Sequence, residues 1–354
     1  MKEIRLGKTR LTVSRVGFGS IPIQRLSEEE AVAVVRRCLD LGVTFLDTAN
    51  GYTTSEQRLG RAIRGRREEV ILATKTGARD REGAREHLEL SLERLGVDYI
   101  DLYQFHGVND FASYEQILAR GGAMETFQEA LEAGIIGHIG ITSHSPEVAR
   151  EAIRSDHFET LMFPFNFVAR EPTEELIPLA EAENVGFIAM KPFAGGMLER
   201  ADLSIKYLLE FPSVVPIPGI EKAEEIEEIV TIVEEGKGLS EVEWQEVEHL
   251  RRELDTRFCR RCQYCQPCPH EVPICALMLI ESDWKRVPPE MFFTDWLAEV
   301  TEKAGACTQC GECEEKCPYD LPIREMIEEH VAFYEARKRE YHGTLSGSHR
   351  VEAL

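Results

Sequence analysis

The repeating unit of this chain is complete in residues 70–106, which read VILATKTGARDREGAREHLELSLERLGVDYIDLYQFH. Two apolar runs, at residues 70–73 and 99–105, flank a segment of helical spacing at residues 81–95. Buried strands that alternate with amphipathic helices are typical of right-handed βαβ units, in which the strands are parallel. We therefore expect a strand, a helix and a second, parallel strand in this stretch.

The same alternation extends from the N-terminus to about residue 236. Six further apolar runs occupy residues 16–19, 43–46, 135–141, 161–165, 185–190 and 214–217. Eight strand–helix units in about 230 residues are what a (β/α)8 barrel requires, so the predicted fold class is α/β with a TIM barrel. A doubly wound open sheet is the alternative, although it usually has fewer strands. Two short strands around residues 7–10 are expected to form a hairpin that closes the bottom of the barrel.

Composition and charge exclude several classes of protein. The chain has 354 residues, of which 43% are hydrophobic, and its 41 Lys and Arg against 63 Asp and Glu give a net charge of −22. This apolar content excludes a disordered chain, and the acidic balance makes nucleic acid an improbable partner. Because no stretch approaches the roughly 20 apolar residues of a membrane span and the N-terminus lacks a signal-peptide core, we expect a soluble cytoplasmic protein.

Nine of the ten cysteines lie between Cys259 and Cys317, and only Cys38 lies outside that segment. A disulfide scaffold is typical of small secreted domains, so metal binding is the leading explanation. The segment contains an internal repeat, because CPHEVPI at residues 268–274 matches CPYDLPI at residues 317–323. In each copy, three cysteines in successive C-x2-C steps precede the Cys-Pro pair.

The second cysteine run, C-x2-C-x2-C-x3-C-P, has the spacing of bacterial ferredoxins, in which the fourth cysteine serves the other cluster. This logic predicts two [4Fe–4S] clusters with crosswise ligands. One cluster has Cys259, Cys262, Cys265 and Cys317, and the other has Cys268, Cys307, Cys310 and Cys313. The first run is one residue shorter between its third and fourth cysteines, which leaves the crosswise ligation and a single cluster open. Structural zinc is the other alternative, and Cys275 and Cys38 are expected to be small buried residues.

Four polar residues stand at the ends of predicted strands or in the loop that follows: Asp47, Tyr52, Lys75 and His106. In a barrel these C-terminal strand ends carry the chemistry. An ammonium stabilises a neighbouring phenolate, a carboxylate keeps that ammonium charged, and an imidazole can hydrogen-bond a substrate oxygen. Each residue alone has an ordinary structural explanation, but the four together predict a proton-donating site.

The first 235 residues resemble the aldo-keto reductases. The motifs that carry the resemblance are LGKTRLTVSRVGFGS, FLDTANGYTTSEQRLGRAI, VILATKTG, LYQFH and IGHIGITSHS, which occur in the family's order. The resemblance implies a (β/α)8 barrel that binds a nicotinamide nucleotide and passes hydride to a carbonyl. By similarity Tyr52 is the general acid, Lys75 and Asp47 stabilise its phenolate form, and His106 orients the carbonyl. The cysteines resemble those of a subgroup with a ferredoxin-like extension.

The cofactor positions match the family less completely. By similarity the contacts are Thr142, Ser143, Asn166, Met190, Lys191, Gly219 and Lys222. Thr142 and Ser143 stand in place of a Ser-Asn pair, Met162 in place of a Gln, and Met190 in place of an aromatic residue. NADPH-preferring members have an Arg where this chain has Glu225, whose charge would repel a 2′-phosphate. The resemblance therefore implies NAD(P)H with a preference for NADH, although Lys222 would favour NADPH.

The sequence predicts a barrel at 1–236, a linker helix at 237–257, a helical ferredoxin-like iron–sulfur domain at 258–342 and a flexible tail at 343–354. The leading hypothesis is an oxidoreductase that reduces an aldehyde or ketone, or oxidises the alcohol. Its clusters would pass electrons to a redox partner protein or stabilise the structure. Because hydride carries two electrons and a cluster ordinarily one, coupling them would need a group such as a flavin, for which no site is recognisable. The alternative is a redox-sensing or electron-carrying protein whose barrel binds nucleotide without turnover.

Overall fold

Eight parallel strands and the helices between them form the N-terminal part of the molecule. In a computed structural model of the chain, residues 1–348 are described, and side chains are described as far as residue 342. The strands are β1 (Glu3–Arg5), β2 (Thr12–Ser14), β3 (Phe18–Gly19), β4 (Phe45–Asp47), β5 (Ile71–Thr76), β6 (Ile100–Phe105), β7 (Ile136–Thr142), β8 (Thr160–Pro164), β9 (Gly186–Met190) and β10 (Val214–Pro216). Strands β3 to β10 pair in sequence order, each parallel to the next.

The sheet curls round until its two outer strands meet. The backbone N–H of Gly17 donates to Pro216 O at 2.9 Å, and that of Gly19 donates to Pro218 O at 2.8 Å. A Cβ on Gly19 would lie 2.9 Å from Ile217 O, so only glycine allows this approach. The prediction of eight parallel strands closed into a barrel is confirmed.

Helices surround the barrel and continue through the rest of the chain. They are α1 (Glu28–Asp40), α2 (Ser55–Ile63), α3 (Arg81–Leu95), α4 (Phe111–Leu118), α5 (Ala123–Glu132), α6 (Pro146–Arg154), α7 (Leu176–Ala182), α8 (Ala201–Leu209), α9 (Ala223–Glu235), α10 (Glu241–Leu254), α11 (Ile274–Leu277), α12 (Ile280–Trp284), α13 (Pro289–Phe292), α14 (Asp295–Lys303), α15 (Glu312–Glu315) and α16 (Ile323–Ser348). None of the described helices is long and apolar enough to cross a membrane. Helix α4 was not predicted; the Asp110 carboxylate caps it by accepting from Ser113 N at 2.7 Å.

The antiparallel hairpin of β1 and β2 closes the bottom of the barrel, as expected. Leu6 and Val13 are fully buried in one cluster with barrel residues such as Phe45. The turn between the two strands approaches the beginning of β9 closely, because a Cβ on Gly7 would lie 2.2 Å from Gly186 N. Gly7 also has a φ of +53°, so the position favours glycine on both grounds.

The chain divides into two compact units, and the division falls inside α10. The first unit is Met1–Ala194 with Leu198–Val247; the second is Gly195–Met197 with the chain from Glu248 onwards. The described part of the second unit has helices and no strand, around a buried apolar core that includes Leu277, Phe292 and Tyr334. Of the tail predicted at 343–354, residues 343–348 continue α16, and residues 349–354 lie outside the described part.

The two cysteine runs adopt the same turn. Three pairs of equivalent positions in the repeat have left-handed backbone conformations. The pairs are Arg261 with Gln309, Gln263 with Gly311, and Glu271 with Asp320, with φ between 49° and 85°. Both copies then lead into a helix that begins at a buried isoleucine, Ile274 in α11 and Ile323 in α16. The sequence repeat is therefore also a repeat of backbone conformation.

Candidate functional site

The four residues singled out from the sequence meet at the C-terminal ends of neighbouring strands. Asp47 is the last residue of β4, Lys75 is the last but one residue of β5, and His106 directly follows β6. Tyr52 lies in the loop between β4 and α2. Because parallel strands end at the same edge of a sheet, this topology brings side chains from distant sequence positions together.

A buried ion pair forms the base of the site. Lys75 Nζ lies 2.5 Å from Asp47 Oδ1 and donates to Thr48 O at 2.7 Å. The two charged side chains are only 1% and 3% exposed. Gln104 Nε2, from the middle of β6, donates to the other Asp47 oxygen at 3.1 Å. The carboxylate is thereby held on both oxygens, and its orientation fixes that of the ammonium.

Tyr52 and His106 lie above this ion pair. Lys75 Nζ is 5.1 Å from the centre of the Tyr52 ring, and the rings of Tyr52 and His106 meet edge to face with centroids 5.6 Å apart. Burial alone would lower the pKa of Lys75, but Asp47 and a hydrogen bond with Tyr52 raise it. Lys75 therefore remains an ammonium beside the Tyr52 phenol. Burial raises the pKa of Asp47, against the opposing effects of Lys75 and Gln104.

His106 is neutral in this environment. Burial, together with the positive charges of Lys75 and Arg79, lowers its pKa to about 3. At neutral pH the imidazole therefore carries one N–H donor rather than two. Its backbone is fixed from both sides, because His106 N donates to Thr76 O at 2.8 Å and Arg79 Nη2 donates to His106 O at 2.8 Å.

Gln104 and Arg79 are functional-site residues that sequence reasoning missed. Gln104 is fully buried in the apolar run IDLYQF, and a lone amide in such a run is a signal that could have been followed. Arg79 follows the strand end that carries Lys75, and its guanidinium also donates to Gly107 O at 3.1 Å. No pattern in the sequence links this arginine to a loop 28 residues further along.

The hydroxyls of Thr142 and Ser143, which were predicted to contact the cofactor, form hydrogen bonds with the backbone. Thr142 Oγ1 accepts from Gly107 N at 2.7 Å. Ser143 Oγ is fully buried and donates to Val108 O at 2.6 Å. Both hydroxyls hold the loop that follows His106, so their geometry fits a supporting role.

The predicted residues near β9 form a second polar group. The Asn166 amide donates to Lys191 O at 3.0 Å and its oxygen accepts from the backbone N–H groups of Val168 and Ala169. Lys191 follows Met190 directly and has a φ of +57°. Lys191 Nζ lies 2.7 Å from Nε2 of His144, which follows β7. Met162 is buried inside the barrel, with Met190 packed against the same interior cluster.

The beginning of α9 carries the last two predicted cofactor residues. Gly219 pairs with Gly19 where the barrel closes, and Lys222 is the residue before α9. Glu225 Oε2 accepts from Glu221 N at 2.8 Å and from Lys222 N at 3.1 Å. A carboxylate of the chain itself therefore binds the two backbone N–H groups that directly precede this helix.

In the second unit, cysteines line two open cavities. The first is lined by Cys259, Cys262, Cys265, Cys275 and Cys317 among others. The second is lined by Cys265, Cys268, Cys307, Cys310 and Cys313 among others. Within residues 1–348, no three or more His, Cys, Asp or Glu side chains are arranged to hold a single metal ion.

Comparison with known proteins identifies the class of protein. The Aldo/keto reductase family matches residues 15–203. The oxidoreductase YqkF of Bacillus subtilis (strain 168) is 32% identical over an alignment of 217 residues that covers 57% of this chain and 68% of that protein. L-galactose dehydrogenase of Arabidopsis thaliana is also 32% identical over 217 residues, covering 55% of this chain and 67% of that protein.

A solved structure agrees with these matches. The aldo-keto reductase AKR11C1 from Bacillus halodurans, in its holo form, superimposes with a TM-score of 0.62 at 28% identity, over 71% of this chain and 96% of that one. The chain therefore belongs to the aldo/keto reductase family and is an oxidoreductase of that type, as its motifs predicted. The family match ends at residue 203, before the cysteine runs.

Proposed function

We propose that the barrel reduces an aldehyde or ketone to an alcohol, or catalyses the reverse reaction, with a nicotinamide nucleotide. The observation that carries this proposal is the convergence of Tyr52, Lys75, Asp47 and His106 at one edge of the barrel. A relative of this chain is, by its name, a dehydrogenase of L-galactose, and dehydrogenation is the reverse direction of the proposed reduction.

Tyr52 is the proton donor in this proposal. When bound, the reduced nicotinamide supplies the hydride, and the carbonyl oxygen then needs a proton. Tyr52 gives up its phenolic proton to that oxygen, and the Lys75 ammonium stabilises the phenolate that remains. Asp47 keeps Lys75 charged and oriented. His106, which is neutral, donates its single N–H to the substrate oxygen and so directs the carbonyl toward Tyr52.

Substitution of Tyr52 tests the proposal. We expect Tyr52→Phe to lower the rate of NADH-dependent aldehyde reduction by at least about 100-fold, the usual contribution of a general acid. NADH binding, followed by nucleotide fluorescence, should stay within about twofold, since the phenol is not a proposed cofactor contact. Tyr99→Phe, at the partly exposed Tyr99 before β6, is the matched control. Equal activity of Tyr52→Phe and Tyr99→Phe would rule out the assigned acid.

We propose NADH rather than NADPH as the preferred cofactor. The support is the carboxylate of Glu225 on the backbone at the beginning of α9, with Glu221 beside it. A carboxylate at the adenosine end can accept a hydrogen bond from a ribose 2′-hydroxyl but repels a 2′-phosphate. Steady-state kinetics with both nucleotides tests this, and a higher kcat/KM with NADPH would contradict it.

We also propose that the second unit binds two [4Fe–4S] clusters. Cys259, Cys262, Cys265 and Cys317 would hold one, and Cys268, Cys307, Cys310 and Cys313 the other. The support is that the first four of these thiols line one cavity and the other four line the second, as ferredoxin spacing predicts, with Cys265 lining both. A cluster needs a cavity rather than converging sulfur atoms, because its own iron and sulfide atoms stand between its cysteines.

Metal analysis of anaerobically purified protein tests this second proposal. Two clusters correspond to about eight iron and about eight sulfide per chain. About two zinc ions without sulfide would favour the structural zinc alternative. A chain with about four iron and four sulfide would contradict two clusters but retain one.

A further inference from the structure

The first cysteine-lined cavity contains one thiol more than a cluster needs. Four of its cysteines belong to the two C-x2-C runs, and the fifth, Cys275, belongs to neither. Cys265 Sγ and Cys275 Sγ are 3.7 Å apart. Cys275 is the second residue of α11, between the buried residues Ile274 and Leu277, so packing of this short helix holds its side chain at the cavity wall.

The internal repeat shows that this position faces a cavity in both copies. Cys275 lies seven residues after Cys268, and its equivalent, seven residues after Cys317, is Arg324. Arg324 lines the second cavity and donates through Nη2 to Glu314 at 2.6 Å. The position is therefore directed at the cavity in each copy, and only the first copy has a thiol there.

Cys265 is the cysteine that Cys275 is placed to replace as a ligand. It lines both cavities, whereas Cys275 lines the first alone. Cys265 also lies in the shortened part of the first run, where two residues rather than three separate it from Cys268. A rotation about one side-chain bond moves a sulfur atom by a few ångströms, which is on the order of the distance between the two thiols.

We propose that Cys275 and Cys265 are interchangeable ligands of the cluster in the first cavity. Whichever sulfur binds iron gives up its proton, and the other remains a thiol, so the exchange changes neither the charge nor the electron count of the cluster. The inference rests on the proposed clusters. It adds Cys275 to the eight proposed cluster ligands. It also implies that the cluster in the first cavity survives the loss of Cys265.

Cysteine substitutions with anaerobic iron and sulfide analysis test the inference. Cys265→Ala and Cys275→Ala should each retain about eight iron per chain, and the double variant should retain about four. The matched control is Cys262→Ala in the first cavity, which should fall to about four because the thiol that Cys275 lies beside, 3.7 Å away, is Cys265. The low-temperature EPR spectrum of Cys265→Ala should change for one cluster only, since one ligand is now at a new position.

Two outcomes would overturn the inference. One is a fall of Cys265→Ala to about four iron, as in Cys262→Ala, because Cys275 would then not replace the missing ligand. The other is a fall of Cys275→Ala alone, which would make Cys275 the sole ligand at this position. Absence of iron and sulfide from the unaltered protein would instead contradict the proposed clusters themselves. Circular dichroism of each variant shows whether the helices still form.

Discussion

At the scale of single residues, the ion pair between Lys75 and Asp47 orients the proposed catalytic side chains. It also makes the fold sensitive to loss of either charge. Both charged side chains are almost inaccessible to water, and each has the other as its ion-pair partner. Removing one charge of a buried pair therefore lowers the free energy of unfolding strongly, whereas removing both charges together lowers it less. The same pair thus allows stability and activity to be separated by experiment.

We expect Asp47→Asn to lower the free energy of unfolding by about 3–5 kcal/mol, because it leaves the Lys75 ammonium buried without a counter-charge. The double variant Asp47→Asn, Lys75→Met should regain much of that loss while remaining inactive. Urea denaturation of both variants provides the measurement. A single variant within about 1 kcal/mol of the unaltered protein would show that water reaches the pair.

The lowered pKa of His106 predicts a pH dependence of stability. Its folded pKa of about 3 lies below the ordinary value of about 6.5, so only the unfolded chain takes up the proton as pH falls between these values. Stability contributed by the neutral imidazole is present above pH 6.5 and is progressively lost below it. We expect the Tm of the unaltered protein to fall more steeply between pH 7 and pH 5 than that of His106→Gln. Parallel slopes would contradict the assignment.

At the scale of elements, the strands were predictable and the connections were less so. Each of the eight barrel runs becomes a strand because buried parallel strands are continuously apolar, a signal that one sequence carries by itself. Helix α4 was not predicted because a stretch of eight residues has too few turns to show a helical period of apolar residues. Its cap at Asp110 was the local sign of a helix. The supporting bonds of Gln104 and Arg79 depend on contacts between separate loops and strands, which no local pattern encodes.

The beginning of α9 offers a test of cofactor choice. We expect Glu225→Arg to shift the ratio of kcat/KM for NADPH over NADH upward by at least about 10-fold, because a charge that repels the 2′-phosphate becomes one that binds it. The loss of its cap should also lower stability by about 1 kcal/mol. Glu225→Gln separates the effects, since the amide oxygen can still accept from Glu221 N and Lys222 N. An unchanged ratio in both variants would place the adenosine elsewhere.

At the scale of the whole molecule, two units with different sources of stability share one chain. The barrel has a large apolar interior, whereas the second unit arranges a smaller core around two cavities. If clusters fill these cavities, their binding free energy contributes to folding of that unit only. Calorimetry should therefore show two transitions. We expect removal of iron with a chelator to lower the Tm of only one transition. A single transition whose Tm falls as a whole would show that the units unfold together.

The way the two copies of the cysteine repeat share their cavities has a consequence for their ancestry. Each cavity has cysteines from both copies. The first is lined by Cys317 of the second copy besides its own Cys259, Cys262, Cys265 and Cys275, and the second is lined by Cys265 and Cys268 of the first copy besides its own Cys307, Cys310 and Cys313. A single copy would lack the cysteines that the other copy contributes to its cavity. Two identical chains exchanging their Cys-Pro segments would complete both, so a homodimer of half-length peptides is a sufficient precursor, and gene duplication with fusion would then preserve it within one polypeptide.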